Sequence, residues 1–241
     1  MAEKIKIAII GGSGIETLDF IKGFRSHMVS TDYGDVPVSE GTVAGKEIVF
    51  QMRHGKEYVL PSHINYRANM TALKKLGVTK IITTAAVGAI NKKFQPGDLA
   101  VLTDFLDFTR GQRETFTRSA FIDMSDPYDP PLNQLILNTA KKMKLKIHPT
   151  AVYACAEGPR FETKAEIKMY GQLGADLVGM TQVPEVVLAV EAKIPYAAIA
   201  VVTNYAAGVS PQKIDPEHVI FVMKEKARII SDLIFQVITA Q

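Results

Sequence analysis

GADLVGMTQVPEVVLAVEAKIPYAAIAVVTN, residues Gly174 to Asn204, reads as strand, polar turn, helix and strand. The first strand ends at Met180-Thr181 and the second at Thr203-Asn204. Polar groups therefore emerge where two strands stop, the place where ligands bind in open α/β sheets. The Asn204 amide, an acceptor and two donors beside an otherwise apolar strand, can read the edge of a heterocycle. Taken alone, such an Asn more often starts a turn. Its weight comes from what stands elsewhere in the chain.

Working outward, further strand-like runs are Ile5–Ile10, Glu47–Met52, Lys80–Ala86, Leu99–Phe105 and Ile147–Cys155. Helical patterns lie over Tyr66–Leu76 (closed by Gly77), Leu132–Met143, Thr163–Leu173 (closed by Gly174) and Pro184–Ala192. A last helix opens with the N-cap and N1 pair Asp215-Pro216 and carries one apolar face through Val219, Val222, Met223, Ile230, Leu233, Ile234 and Val237. Strands alternating with helices predict an α/β fold, helices packed outside a central mixed β-sheet in three layers. The chain, residues 1–241, reads as one domain, with no repeat or linker. Asp107–Pro131 is the longest irregular stretch, and loops of that length serve function or an interface.

Composition excludes several classes. Hydrophobic residues make up 47%, enough for a sizeable core, and the net charge of +3 comes from mixed rather than blocked charges. That predicts no nucleic-acid or membrane partner. No apolar run approaches the ~18 residues of a membrane span. The start, MAEKIKIAII, reads as a strand rather than a signal peptide, so the expected location is cytoplasmic. Cys155 is the one cysteine and is expected to be buried and inert. The five histidines show neither HxH nor HxxxH spacing, so no metal site is expected.

Four constellations carry the chemistry. Gly11-Gly12-Ser13-Gly14 follows the first strand; glycines let backbone N–H groups approach an anion, and Ser13 adds a hydroxyl. A dinucleotide site is the rival reading, but Thr17 stands where the third Gly of that fingerprint belongs, and Asp32 lies among turn-like residues. Arg53-His54-Gly55 ends another strand; an Arg fork suits a phosphate, though such a pair also serves surface ion pairing. Thr83–Ala89 ends a strand in small residues, which permit either a ligand or tight packing close to the backbone. Glu157–Thr163 joins a strand to a helix. In it Phe161 can stack on a flat ring and Glu162 can accept from ring N–H groups; equally, Phe161 can be core and Glu162 a first-turn carboxylate.

IGGSGIE, RHG, INYRAN, TTAAVGAI, QPGD, EGPRF, GADLVGMTQVPEVVLA and VVTN, in this order across nearly the whole chain, resemble the purine nucleoside phosphorylase and methylthioadenosine phosphorylase family. The resemblance implies an α/β sandwich around a mixed sheet, a homotrimer or dimer of trimers, and cleavage of purine N-glycosidic bonds by inorganic phosphate without metal or organic cofactor. By matching position it places phosphate against Ser13, Arg53, His54, the Ala86 backbone and Thr181. Met180 would lie by the ribose, Phe161 by the purine, and Asn204 with its neighbours Tyr205 and Ala206 at the base. Ala85 stands where many relatives have Thr or Asn. The methylthioadenosine branch has an Asp pair near the base; this chain has Asn204 and Ala206 there, and Asn can donate to O6 while accepting from N7–H. Glu162 matches the branch in which that position accepts from N1–H of hypoxanthine or guanine. Asn204 and Glu162 are thus the expected catalytic pair, in a 6-oxopurine-type member of the methylthioadenosine phosphorylase branch. Pro216 stands where the inosine branch often has a His, so Pro216, Val219 and Met223 would give the nucleoside 5′ end an apolar wall, with His218 an alternative polar partner. Phe121 is a candidate to reach a neighbour's site. The expected activity is phosphorolysis of inosine, guanosine or 5′-methylthioinosine in purine salvage. Alternatives are a methylthioadenosine or methylthioinosine phosphorylase and, more remotely, a non-catalytic nucleoside-binding protein.

Overall fold

The apolar runs of the sequence assemble into a single mixed sheet of ten strands in the structure, a computed structural model that describes residues 5–15, 18–110, 115–116 and 121–241. The strands are β1 (Lys6–Gly11), β2 (Arg25–Thr31), β3 (Gly34–Val43), β4 (Lys46–Met52), β5 (Lys80–Ala89), β6 (Leu99–Val101), β7 (Asp104–Phe108), β8 (Val152–Ala156), β9 (Leu177–Gly179) and β10 (Tyr196–Tyr205). The helices are α1 (Tyr66–Lys75), α2 (Pro130–Lys142), α3 (Lys164–Gln172), α4 (Gln182–Glu191) and α5 (Pro216–Thr239). The order β2-β3-β4-β1-β5-β9-β8-β7 forms the main path, and β10 lies against β5 with β6 beyond it.

Helices cover both faces, which makes three layers. Along β5 and β10, alternate residues enter opposite cores: Ile81, Ala198 and Ala200 join α1 and α4, whereas Ile82, Ala197 and Ile199 join α2 and α5. Strands buried on both faces lose the period-two polar alternation and read as continuous apolar runs. Cys155 is fully buried in the first core, and burial pushes its thiol up to about 12, which leaves it a small inert hydrophobe.

Helix ends follow their local chemistry. Asn65, Asp129, Thr163 and Asp215 each accept a backbone N–H as N-caps, and Thr163 with Glu166 closes a capping box. Val183 is extended (φ −108°, ψ 130°), so regular helix begins at Pro184 as the sequence predicts.

Three expectations need correction. Residues 25–43 form the β2–β3 hairpin; the segment around Asp32 is its turn, flanked by strands with Val36 and Val38 pointing inward. Pro37, which can donate no ladder hydrogen bond, hides the strand pattern in the sequence. The run over 99–105 is two strands, β6 and β7, that pair with different partners, β10 and β8. The 147–155 strand starts only at Val152.

The direction of β9 matters most for the site. It pairs antiparallel to β5 through Gly88 and Ala89, on the same edge that β1 occupies in parallel through Lys80–Thr83. Between these partners the Thr84–Val87 edge of β5 is paired with neither strand. The opening receives the loop after β1, the end of β4 and the start of α4.

Candidate active site

At that opening lies a cleft of about 390 Å³. At one end stand Ser13, Arg53, His54, Ala86 and Thr181. At the other stand Phe161, Glu162, Met180, Asn204 and Ala206, with Pro216 and Val219 at the rim. A larger groove of about 520 Å³ runs along the β2–β3 hairpin; its lining is mainly apolar and shares no residue with these constellations.

The first end is built by close backbone approach. A Cβ on Gly12 would sit 2.7 Å from Arg53 Nη1 and 2.9 Å from the Thr84 carbonyl. Gly14 has φ +76°, and a Cβ there would lie 2.5 Å from Met223 Cβ. Both positions need glycine, one for space and one also for conformation. The Gly12 N–H donates to Thr84 Oγ1 at 3.1 Å, which ties the loop to β5. Among the described residues no α-helix follows this loop; residues 19–21 form a short 3-10 turn. The described residues therefore offer no helix terminus of the kind that receives a dinucleotide's pyrophosphate.

The Ser13 hydroxyl bonds that of Tyr58, whose ring stacks on His54 with centroids 4.6 Å apart and planes 11° apart. His54 Nδ1 donates to the Val59 carbonyl at 2.8 Å, which fixes the neutral ring's lone pair on Nε2. Thr181 is the N-cap position of α4, yet its hydroxyl makes no capping bond; its N–H donates to the Tyr153 hydroxyl at 3.2 Å.

Arg53 sits at this end but not as the sequence suggests. Its fork grips Glu185 instead of standing open: Nε to Oε2 is 2.7 Å and Nη2 to Oε1 is 2.8 Å. Nη2 also donates to Thr83 Oγ1, and Nη1 to the Thr84 carbonyl at 2.9 Å. Arg53 and Glu185 are each 2% exposed. Burial alone would lower the Arg53 pKa, but the charge and hydrogen bonds of Glu185 reverse that and raise it, so the guanidinium is permanently charged. Glu185 carries no strand-end signal in the sequence; helical spacing alone makes it look like a first-turn carboxylate.

At the second end the chain irregularity is instructive. The β10–β5 register shifts between Val202 and Asn204, a bulge that re-aims the Asn204 side chain. Asn204 Oδ1 accepts from Thr203 Oγ1 at 2.8 Å, and Nδ2 donates to the Tyr205 carbonyl at 2.9 Å. One donor and one acceptor position of the amide remain for a ligand. Glu162 is 7% exposed, and its Oε1 is buried without a hydrogen-bond partner. Burial raises its pKa. A buried unpaired carboxylate oxygen costs free energy until something donates to it. Phe161 is 38% exposed, so the core reading fails for it.

Tyr205 and Met223 do not line the cleft. Tyr205 offers its carbonyl to Asn204, and its side chain packs partly against the first core. Met223 is fully buried among α2 and α5 residues under Gly14, because its place in the helix turns it to the sheet rather than to the cleft. The apolar rim around Pro216 and Val219 is instead completed by Leu60, Pro61, Ile214 and Ile220. His218 is exposed beside Phe221 and lies outside the cleft. Phe121 is fully exposed and does not reach its own protomer's cleft. Sequence reasoning missed Tyr58 and Leu60, which carry no spacing signal; Thr203, read only as the polar end of its strand, lines the cleft beside Asn204. Among the described residues no three His, Cys, Asp or Glu converge as metal ligands, and no helix is long and apolar enough to cross a membrane.

Comparison with known proteins agrees with this geometry. A probable 6-oxopurine nucleoside phosphorylase of Moorella thermoacetica is 47% identical over 240 residues, covering 97% of this chain and 92% of that protein. The 6-oxopurine nucleoside phosphorylase of Pyrococcus furiosus is 43% identical, covering 97% and 92%. The S-methyl-5′-thioadenosine phosphorylase of the same organism is 41% identical, covering 95% and 90%. Among solved structures, methylthioadenosine phosphorylase from Schistosoma mansoni in complex with adenine superposes with a TM-score of 0.94 at 30% identity, covering 98% of this chain and 91% of that one. Residues 6–239 match the Phosphorylase superfamily, and with that extent of match the chain belongs to it.

Proposed function

We propose that this protein is a 6-oxopurine nucleoside phosphorylase, a pentosyltransferase that cleaves inosine or guanosine with inorganic phosphate to free base and ribose 1-phosphate. The observation that carries the base class is the pairing of a buried, unpartnered Glu162 Oε1 with an Asn204 amide that keeps one donor and one acceptor for a ligand. A 6-oxopurine supplies N1–H to Glu162, O6 to Asn204 Nδ2 and, once protonated, N7–H to Asn204 Oδ1. An adenine ring has no N1–H, so Glu162 would stay unpaired. The names of the relatives at 43–47% identity support the same reading.

Phosphate lies at the other end, against Ser13, His54, Thr181, the Ala86 backbone and the remaining Arg53 N–H. A phosphate oxygen attacks C1′ as the C1′–N9 bond breaks; the bonding pair leaves with the base, which takes at N7 the proton that monohydrogen phosphate gives up through water. Positive character on the ribose is met by phosphate, and negative charge on the purine by Asn204. Ser13 must exchange its Tyr58 partner for phosphate. Each step uses side chains, water and co-substrate alone, so we propose no metal or organic cofactor. A methylthio group on the substrate's 5′ carbon is favoured by one observation, the apolar rim of Leu60, Ile214, Pro216, Val219 and Ile220. We further propose a cytoplasmic homotrimer or dimer of trimers, in which the exposed Phe121 reaches a neighbouring cleft.

The test is a panel of inosine, guanosine, adenosine and 5′-methylthioadenosine with and without phosphate. Cleavage of the 6-oxopurines only with phosphate, giving ribose 1-phosphate, is expected. Equal cleavage in phosphate-free buffer would make the enzyme a hydrolase, and preference for the 6-amino nucleosides would overturn the base assignment.

A further inference from the structure

Four of the five Arg53 N–H groups are already spent inside the protein, on Glu185 Oε2, Glu185 Oε1, Thr83 Oγ1 and the Thr84 carbonyl. The one left is on Nη1, the nitrogen pressed beneath Gly12 of the loop after β1. The carboxylate that holds the fork is itself held. Glu185 Oε1 accepts from Arg53 Nη2, from the Tyr196 hydroxyl at 2.6 Å and from Thr83 Oγ1 at 3.3 Å. The Tyr196 hydroxyl oxygen also lies 3.2 Å from the Gln182 side-chain amide. The arrangement joins β4, β5, α4 and β10 in one buried set of hydrogen bonds directly behind the phosphate end of the cleft.

We infer that Glu185 is a positioning residue for phosphate: it locks the Arg53 fork from behind, so that the guanidinium faces the oxyanion with a single fixed Nη1–H and no bidentate edge. The inference rests on the proposed phosphate reading of this end and assigns a role to a residue that touches no substrate. Orientation outweighs the charge that Glu185 removes, for a geometric reason. Replacing Glu185 by Gln puts its amide NH₂ either against Arg53 Nε–H across a 2.7 Å gap or, when flipped, against the Nη2 donor across 2.8 Å. Donor meets donor either way, and the guanidinium must turn. Nη1 already lies close against Gly12, 2.7 Å from where a Cβ there would stand, so a turn also disturbs the contact with the loop after β1.

The experiment measures the steady-state KM for phosphate and for inosine separately, together with the rise in Tm caused by inorganic phosphate alone. Glu185→Gln is expected to raise the phosphate KM at least tenfold while the inosine KM stays within about twofold, and to lose most of the phosphate-induced Tm rise. Tyr196→Phe, which removes one donor to Glu185 and leaves the ion pair, is expected to raise the phosphate KM about threefold. Tyr128→Phe, which removes a hydroxyl that bonds Gln182 at 3.3 Å and does not touch Glu185, is expected to change neither KM. An unchanged phosphate KM in Glu185→Gln, or a parallel rise in both KM values, overturns the inference. If Glu185→Gln does not fold, Tyr196→Phe decides: an unchanged phosphate KM overturns it. If the wild type cleaves no nucleoside but phosphate raises its Tm, the proposed reaction fails while the Tm series still tests Glu185. If phosphate has no effect on the wild type at all, the inference falls with the cradle.

Discussion

Replacing Asn204 by Asp changes one atom of the side chain from donor to acceptor, and the structure allows its consequences to be separated. Nδ2 of Asn204 lies 2.9 Å from the Tyr205 carbonyl, so an Asp oxygen there meets another acceptor. The Thr203 hydroxyl still has an oxygen to donate to, at 2.8 Å from the present Oδ1. Two donations are therefore lost, one to Tyr205 and one to the O6 of the base. Leaving a buried polar group unpaired costs about 1–3 kcal/mol. Applied to the transition state alone, that is roughly a five- to 150-fold fall in kcat/KM for inosine, since about 1.4 kcal/mol is tenfold. Adenosine, with an amino group at C6 and an open N7, donates where inosine accepts and loses less. The inosine/adenosine ratio of kcat/KM should fall by about tenfold or more. The Tyr205 loss appears separately as a lower Tm without substrate, and Thr203→Val serves as the control that loosens Asn204 without changing its donor pattern. The assay is initial-rate base release for both nucleosides at saturating phosphate. An unchanged ratio, with or without a Tm change, removes Asn204 from base recognition.

Glu162→Gln should lower kcat/KM for inosine yet stabilise the free protein above mid-acid pH. The folded pKa of Glu162 is raised by burial, so its contribution to stability is fully present below the unfolded carboxylate range and is lost as pH rises through the raised value; the Tm gain of the Gln variant should be near zero at low pH and grow toward neutrality, and a gain independent of pH refutes the account. Arg53→Ala should reduce phosphate use but also strand Glu185 in the core, at a cost of about 3–5 kcal/mol, so its Tm must drop sharply; a fully stable variant means the pair is not buried in solution. In wild type, 5′-methylthioinosine should match or exceed inosine in kcat/KM, because one CH₂-sized group against the apolar rim contributes about 0.8 kcal/mol, and Pro216→His should shift the balance toward inosine; a strong wild-type preference for inosine shows that a polar partner reaches the 5′ hydroxyl. Sedimentation at micromolar concentration should show a trimer or its multiple, and a fully active monomer refutes a shared site.

Residues with strong local physics were legible from the chain alone. Continuous apolar runs announced strands buried on both faces, Asp215-Pro216 and Thr163 announced helix starts, and Gly11–Gly14, Arg53-His54 and Thr181 announced strand-end polar groups that the fold brings to one cleft. Tertiary structure decided what depends on direction and partner. A strand such as β9 carries no mark of running against β5, and Pro37 masked a strand that its cross-strand partners enforce. Met223 and Val219 share one helix face in sequence, yet four residues of helix and the position of Gly14 send one to the core and leave the other at the rim. The Arg53–Glu185 pair spans 132 positions, and hydrogen-bond partners at such separation leave no periodic trace. Sequence fixes what a side chain can donate or accept; only the packed chain fixes which of those capacities is already used and which is left for a ligand.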